Sequence, residues 1–338
     1  MPESIVAGLA IVLLAGGFQG SFLLPTKWMK GWAWENYWLI FAASAYLVCP
    51  WVLAALTIPH LAKVYQGVPA GSLALAEACG AGWGVGALTF GLGVEALGLA
   101  LGFAVILGVA ATAGTLIPLF VLTPKGFSFE QGMVTAVALM LMLAGVAVCS
   151  FAGNWKAETK VPMAGPSYRR GVLLCIASGL LSACGNLGFA FGSEITERAQ
   201  SLGAPAHLAG NALWPLLAIP LFLCNAGYSI ALLHRNDTAR RYRSADAPRF
   251  GALAFLMGVL WMAGIGLYGV GASKLGTLGP SLGWAILMSA MVLVANVLGM
   301  LTGEWKGAPR KAQRRLSLGI SILIVAIAVL GYANHLQK

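Results

Sequence analysis

Glu77 lies in the apolar run LALAEACGAGW and is the one carboxylate that falls clearly inside such a run. An ionisable group in hydrocarbon is costly and is a functional candidate by default. Burial disfavours the charged form and raises a carboxyl pKa. A buried Glu77 could therefore take up and release a proton near neutral pH, and it is the expected proton-coupling residue. Two other readings stand beside this one: an interfacial carboxylate facing water at the end of its span, or a structural hydrogen bond. The neutral polar residues in apolar runs are Gln19, Asn186, Asn211, Asn225 and Asn296. Amides both donate and accept, which suits the hydroxyls of a neutral polyol. They can equally tie helices together at about 0.6–2 kcal/mol per bond.

Aromatic residues supply the other half of a polyol site. Trp83, Gly86, Phe90 and Gly93 share one helical face by their spacing, and Trp261, Gly264, Tyr268 and Gly271 repeat it. Trp214 precedes Pro215, and Trp284 lies in a later run. An indole face can stack on the apolar side of a sugar ring while amides hold its hydroxyls. The expected substrate-binding set is Gln19, Trp83, Asn186, Asn211, Trp214, Tyr268 and Trp284. An aromatic stripe can also be plain helix packing. The stretch PTKWMKGWAWENYW (25–38) is basic and aromatic, as an interfacial anchoring belt would be, with a gate or coupling role for Lys27 and Glu35 as the alternative.

Other chemistries find no residues to carry them. His60, His207, His234 and His335 are scattered over connections and the tail. The six cysteines lie in apolar runs without a Cys-x-x-Cys pair and read as small buried hydrophobes. The Gly-rich runs do not follow a strand, so they are no dinucleotide fingerprint. No metal, no cofactor and no enzymatic activity are expected.

The elements that must position these residues are membrane helices. The chain of 338 residues is 59% hydrophobic and only 9% charged, against about 25% charged in soluble domains. Its solvent must be largely the lipid bilayer. Continuous apolar runs of about 20 residues match helical spans, and their lack of alternation excludes a barrel. Ten spans are expected, at about 4–24, 36–58, 72–93, 97–121, 132–152, 171–192, 208–233, 250–272, 279–302 and 315–334. The acidic start, MPES, reads as a retained first span rather than a cleaved signal. Of the 21 Lys and Arg, 16 fall in connections on one side and five on the other. Basic residues stay in the cytoplasm, which puts both termini on the outer, periplasmic side. The net charge of +10 is thus accounted for by topology, with no nucleic-acid partner.

The chain also repeats itself. WGVGALTFGLGVEALG (83–98) and WMAGIGLYGVGASKLG (261–276) share Trp83/Trp261, Gly86/Gly264, Gly91/Gly269, Gly93/Gly271, Leu97/Leu275 and Gly98/Gly276. Five spans per half is an odd number, so the second half would enter the membrane in the opposite sense. The expected fold is therefore all-α: ten transmembrane helices in two inverted five-helix repeats, residues 1–152 and 171–338, joined by a cytoplasmic linker at 153–170. Inverted repeats with a site between the halves are the mark of secondary transporters working by alternating access.

Three segments carry a more specific likeness. They are Pro25-Thr26-Lys27 with Trp32, Trp34, Glu35 and Trp38; Gly80, Trp83, Gly84 and Gly86 running on to Leu97-Gly98 and Gly114-Thr115-Leu116-x-Pro118; and Trp261, Tyr268, Gly271, Trp284 and Glu304-Trp305. In these the chain resembles the L-rhamnose–proton symporter family, a ten-helix branch of the drug/metabolite transporter superfamily, over nearly its whole length. The resemblance implies a bacterial inner-membrane secondary transporter that imports a neutral monosaccharide, L-rhamnose or a related sugar, together with protons. The alternative is a metabolite or drug exporter of the same superfamily.

Overall fold

A computed structural model describes residues 3–122, 128–157 and 166–336. Among the described residues ten helices are long and apolar enough to cross a bilayer: α1 (Ser4–Trp28), α2 (Trp34–Thr57), α3 (Ala70–Leu97), α4 (Leu101–Leu122), α5 (Phe129–Gly153), α6 (Tyr168–Ser201), α7 (Ala209–Arg235), α8 (Ala247–Lys274), α9 (Gly279–Leu301) and α10 (Arg310–His335). No strand occurs among the described residues. The protein is a multi-pass membrane protein. Its outer surface presents Leu56, Phe120, Leu173, Leu223, Leu301 and Val325, an apolar exterior that only lipid can solvate.

The ten expected spans match these helices to within a few residues, apart from two ends. α6 runs nine residues past its expected end because the polar turn Ser193–Ser201 continues it. α10 begins five residues early, in the basic run from Arg310. Short helices at Leu61–Gln66 and Ala239–Arg243 occupy what were read as connections. α2 contains a π-helical segment, Ala43–Val48, just ahead of Pro50. Pro50 has no N–H to give the Tyr46 carbonyl four residues back, so the regular ladder cannot pass this point.

Packing follows a regular scheme. α1 lies against α8 and α9, and α6 lies against α3 and α4. α2 packs on α8, and α7 packs on α3. The pairs α2–α7, α4–α9 and α5–α10 are also in contact, as are the sequence neighbours α3–α4, α8–α9, α4–α5 and α9–α10. Shifting every helix number by five leaves this set of neighbours unchanged. Glycine makes the closest of these contacts possible. A Cβ on Gly86 would stand 2.6 Å from the Ser182 amide of α6, and one on Gly271 would stand 2.6 Å from the Val12 side chain of α1. The stripes containing Trp83 and Trp261 are therefore, on their glycine positions, helix-packing faces.

Candidate functional site: a cavity closed at one end

A cavity of about 790 Å³ lies within the bundle, in the range typical of small-molecule sites. Its lining comes from the C-terminal halves of α1, α3 and α5, the N-terminal half of α4 and most of α9, with α2 contributing Trp38 and Tyr46, α8 Trp261 and Ile265, α6 Ser182 and α7 Leu221. Its lining reaches the ends of α1, α5 and α9, where Lys27 and Glu304 are partly exposed. Lys27, Thr26, Glu304 and Trp305 lie at that end of the lining. Lys27 Nζ stands 2.6 Å from Glu304 Oε1 and also donates to the Thr302 hydroxyl. Among the described residues, Glu304 is the carboxylate that lines the cavity.

The inner wall is aromatic and amide in character. Trp83 and Trp261, residues that correspond under the internal repeat, face each other with ring centroids 5.5 Å apart. Tyr46, in the π-helical segment, meets Trp261 edge-on at 4.9 Å. Gln19, 5% exposed, donates from Nε2 to the Trp261 carbonyl at 2.7 Å. No described residue donates to its Oε1. Trp284, also lining the cavity, points its Nε1 at the Ala110 carbonyl at 3.4 Å.

Beyond Trp284 the interior is sealed. Trp284, Tyr268, Phe189 and Trp214 form a continuous aromatic row with centroid separations of 5.5, 5.4 and 4.9 Å. At its centre the Tyr268 hydroxyl donates to Asn186 Oδ1 at 2.5 Å and lies 2.9 Å from the Pro280 carbonyl. Asn186 Nδ2 donates to the carbonyls of Gly114 at 2.7 Å and Pro280 at 2.8 Å. One amide thus joins α4, α6, α8 and α9. Gly114 needs this donor because Pro118, four residues on, has no N–H. Asn211 lies farther along, donating to Thr57 Oγ1 at 3.1 Å. Trp214 Nε1 is buried with no hydrogen-bond partner among the described residues.

The seven residues expected at the substrate site therefore divide. Gln19, Trp83 and Trp284 line the cavity. Asn186, Asn211, Trp214 and Tyr268 belong to the sealed end and are at most 3% exposed. Glu77, expected to be buried, is exposed in the second turn of α3 and does not line the cavity. It lies on the outer face of that helix, away from the cavity. Glu35 is buried away from the cavity. Its Oε1 accepts from Thr238 Oγ1 at 2.6 Å and Asn236 Nδ2 at 3.1 Å, fastening α2 to the connection before α8. Tyr242 donates to the Asn36 carbonyl beside it at 2.9 Å. Burial pushes the Tyr242 phenol above its ordinary range, which keeps it a neutral donor.

Sequence reasoning missed Trp261, Tyr46 and Glu304 as lining residues. Trp261 was signalled, since the repeat pairs it with Trp83. Tyr46 and Glu304 were not, because their positions depend on a π-helical segment and on a turn after α9. Among the described residues no cluster of His, Cys, Asp or Glu could hold a metal ion.

Comparison with known proteins covers the same span as the cavity-forming helices. A family model described as L-rhamnose-proton symport protein (RhaT) matches residues 1–335. The chain is 26% identical over 340 residues to a protein of Cronobacter sakazakii named L-rhamnose-proton symporter, covering 98% of both chains. It is equally similar, 26% over 345 residues and 98% of each chain, to proteins of the same name from Citrobacter koseri and Shigella dysenteriae.

Proposed function

The chain belongs to the L-rhamnose-proton symport family, and we propose that it imports L-rhamnose or a closely related neutral sugar together with a proton across the bacterial inner membrane. The observation that carries this reading is the central cavity, with the Gln19 amide and the Trp83, Trp261 and Trp284 indoles around a space the size of a small-molecule site. The indoles supply flat apolar faces for a sugar ring. The free Oε1 of Gln19 can accept from a sugar hydroxyl.

Alternating access between two inverted halves, 1–152 and 171–338, is the proposed mechanism. Its support is the packing scheme that survives a shift of five helices, and the meeting of Trp83 with its repeat partner Trp261 near the centre. Two copies related by a two-fold axis bring a residue against its own image where the axis passes. The basic connections on the Lys27–Glu304 side favour that face as cytoplasmic and both termini as periplasmic. For the coupling proton, the position of Glu304 at the mouth makes it the better candidate than Glu77, because it can exchange a proton with water in the cavity. Protonating Glu304 would release Lys27. An exporter of lipophilic cations has less support, since the carboxylate in the cavity is already neutralised by Lys27.

The test is accumulation of labelled L-rhamnose by proteoliposomes under an imposed pH gradient, acidic on the periplasmic face. The expected result is uptake above equilibrium that a protonophore abolishes. Sugar flux indifferent to the gradient would remove the symport reading.

A further inference from the structure

The repeat partner of Tyr268 is Phe90, and the two are placed in opposite circumstances. Phe90 lines the open cavity, half-buried, with its ring against Phe103 at 4.8 Å. Tyr268 is fully buried in the sealed end, and its hydroxyl is committed to Asn186. A phenol has one proton to give. The shorter contact, to Asn186 Oδ1, takes it, and the Pro280 carbonyl is served by Asn186 Nδ2. The result is a closed polar knot across four helices, set against the buried aromatic row of Trp284, Phe189 and Trp214. The corresponding knot could not form at the other end, because Phe90 has no hydroxyl.

We propose that the Tyr268–Asn186 knot is the latch that holds the far end of the transporter shut, and that Tyr268 is the positioning residue that biases the carrier towards the conformation described here. Opening the far end must separate α9, which carries Pro280, from α6, which carries Asn186. The knot bridges that separation directly. Trp214 Nε1, buried without a partner among the described residues, belongs to the same place, its ring stacked on Phe189 next to Tyr268. Buried unpaired donors are rare and call for a reason, and here opening would bring this indole to water or to sugar. Removing only the hydroxyl, by Tyr268→Phe, gives this end the residue that the other end already has. It strands Asn186 Oδ1 in the closed state alone, a loss of about 1–3 kcal/mol, equivalent to a shift of about five- to 150-fold in the equilibrium between the two conformations.

The inference rests on the alternating-access reading but not on the identity of the sugar, so its test needs none. Two single-cysteine reporters in a cysteine-free background read the two ends. Ser150→Cys lies on the cavity wall, and Ser281→Cys lies beside Pro280 in the sealed end, where Ser281 is 2% exposed. Reaction with a small hydrophilic thiol reagent is measured in detergent without substrate, with and without Tyr268→Phe. The expected result is at least fivefold faster reaction at Ser281→Cys and slower reaction at Ser150→Cys. Asn186→Leu is the second variant and should move both reporters the same way. Reaction rates that rise at both ends, or change at neither, would overturn the latch, whatever sugar transport assays show.

Discussion

Asn186→Ala tests how the interior of this bundle is held together, and its cost can be worked out bond by bond. The parent amide serves two carbonyls and one hydroxyl. When it is truncated, the Tyr268 hydroxyl can turn to the Pro280 carbonyl, already 2.9 Å away, so neither of those groups is stranded. The Gly114 carbonyl has no such recourse, because position 118 is proline. One buried acceptor without a donor costs about 1–3 kcal/mol, and we expect about 2 kcal/mol of lost stability. The sharper test is a double-mutant cycle. Pro118→Ala returns an N–H to the position that would serve Gly114. In that background Asn186→Ala should cost about 1 kcal/mol less, a coupling well above the 0.3–0.5 kcal/mol within which independent sites add. Equilibrium unfolding by SDS titration of the four proteins in mixed micelles gives the cycle. Strict additivity, or an Asn186→Ala loss below 0.5 kcal/mol, would refute the assignment of this amide to the Gly114 carbonyl.

Gln19→Leu removes a free acceptor of the cavity and should weaken L-rhamnose binding by about five- to thirteenfold, about 1–1.5 kcal/mol, as read by quenching of tryptophan fluorescence; an unchanged Kd would move the sugar away from α1. Glu304→Gln should abolish gradient-driven accumulation while leaving sugar exchange intact, and Glu77→Gln should spare both; the opposite pattern would return the coupling role to Glu77. Glu35→Ala strands the Thr238 and Asn236 donors and should destabilise the protein by about 1–3 kcal/mol, with Glu35→Gln costing less because an acceptor oxygen remains; equal losses in SDS unfolding would show that the hydrogen bonds are not what matters there.

The ten helices were legible in the sequence because lipid imposes a length and a polarity on every span. The same rule leaves side-chain direction open. Glu77 and Gln19 both sit in apolar runs, yet one faces outward from α3 and the other faces the cavity. No helical periodicity distinguishes them, since the lipid-facing and the inward faces of such helices are alike apolar. The repeat was more informative: it singled out Trp83 and Trp261, which touch in the centre of the bundle. What it could not reveal was the state of the molecule. Asn186 and Tyr268 were read as sugar ligands from their chemistry, and in this conformation that chemistry is spent on each other. Their pairing depends on α6 and α8 crossing at one level, and on Pro118 leaving a carbonyl to be served. The Glu304–Lys27 pair joins the end of α1 to the turn after α9, far apart in sequence, so no local pattern announced it.

Counterflow measures the central claim with least interpretation. Proteoliposomes loaded with unlabelled L-rhamnose are diluted into a trace of labelled sugar, with no ion gradient. A carrier whose one cavity faces each side in turn must take up label transiently above its equilibrium level and then lose it. We expect that overshoot, and we expect it to vanish when the vesicles are loaded with buffer alone. Entry that climbs monotonically to equilibrium whether or not sugar is inside would contradict the account.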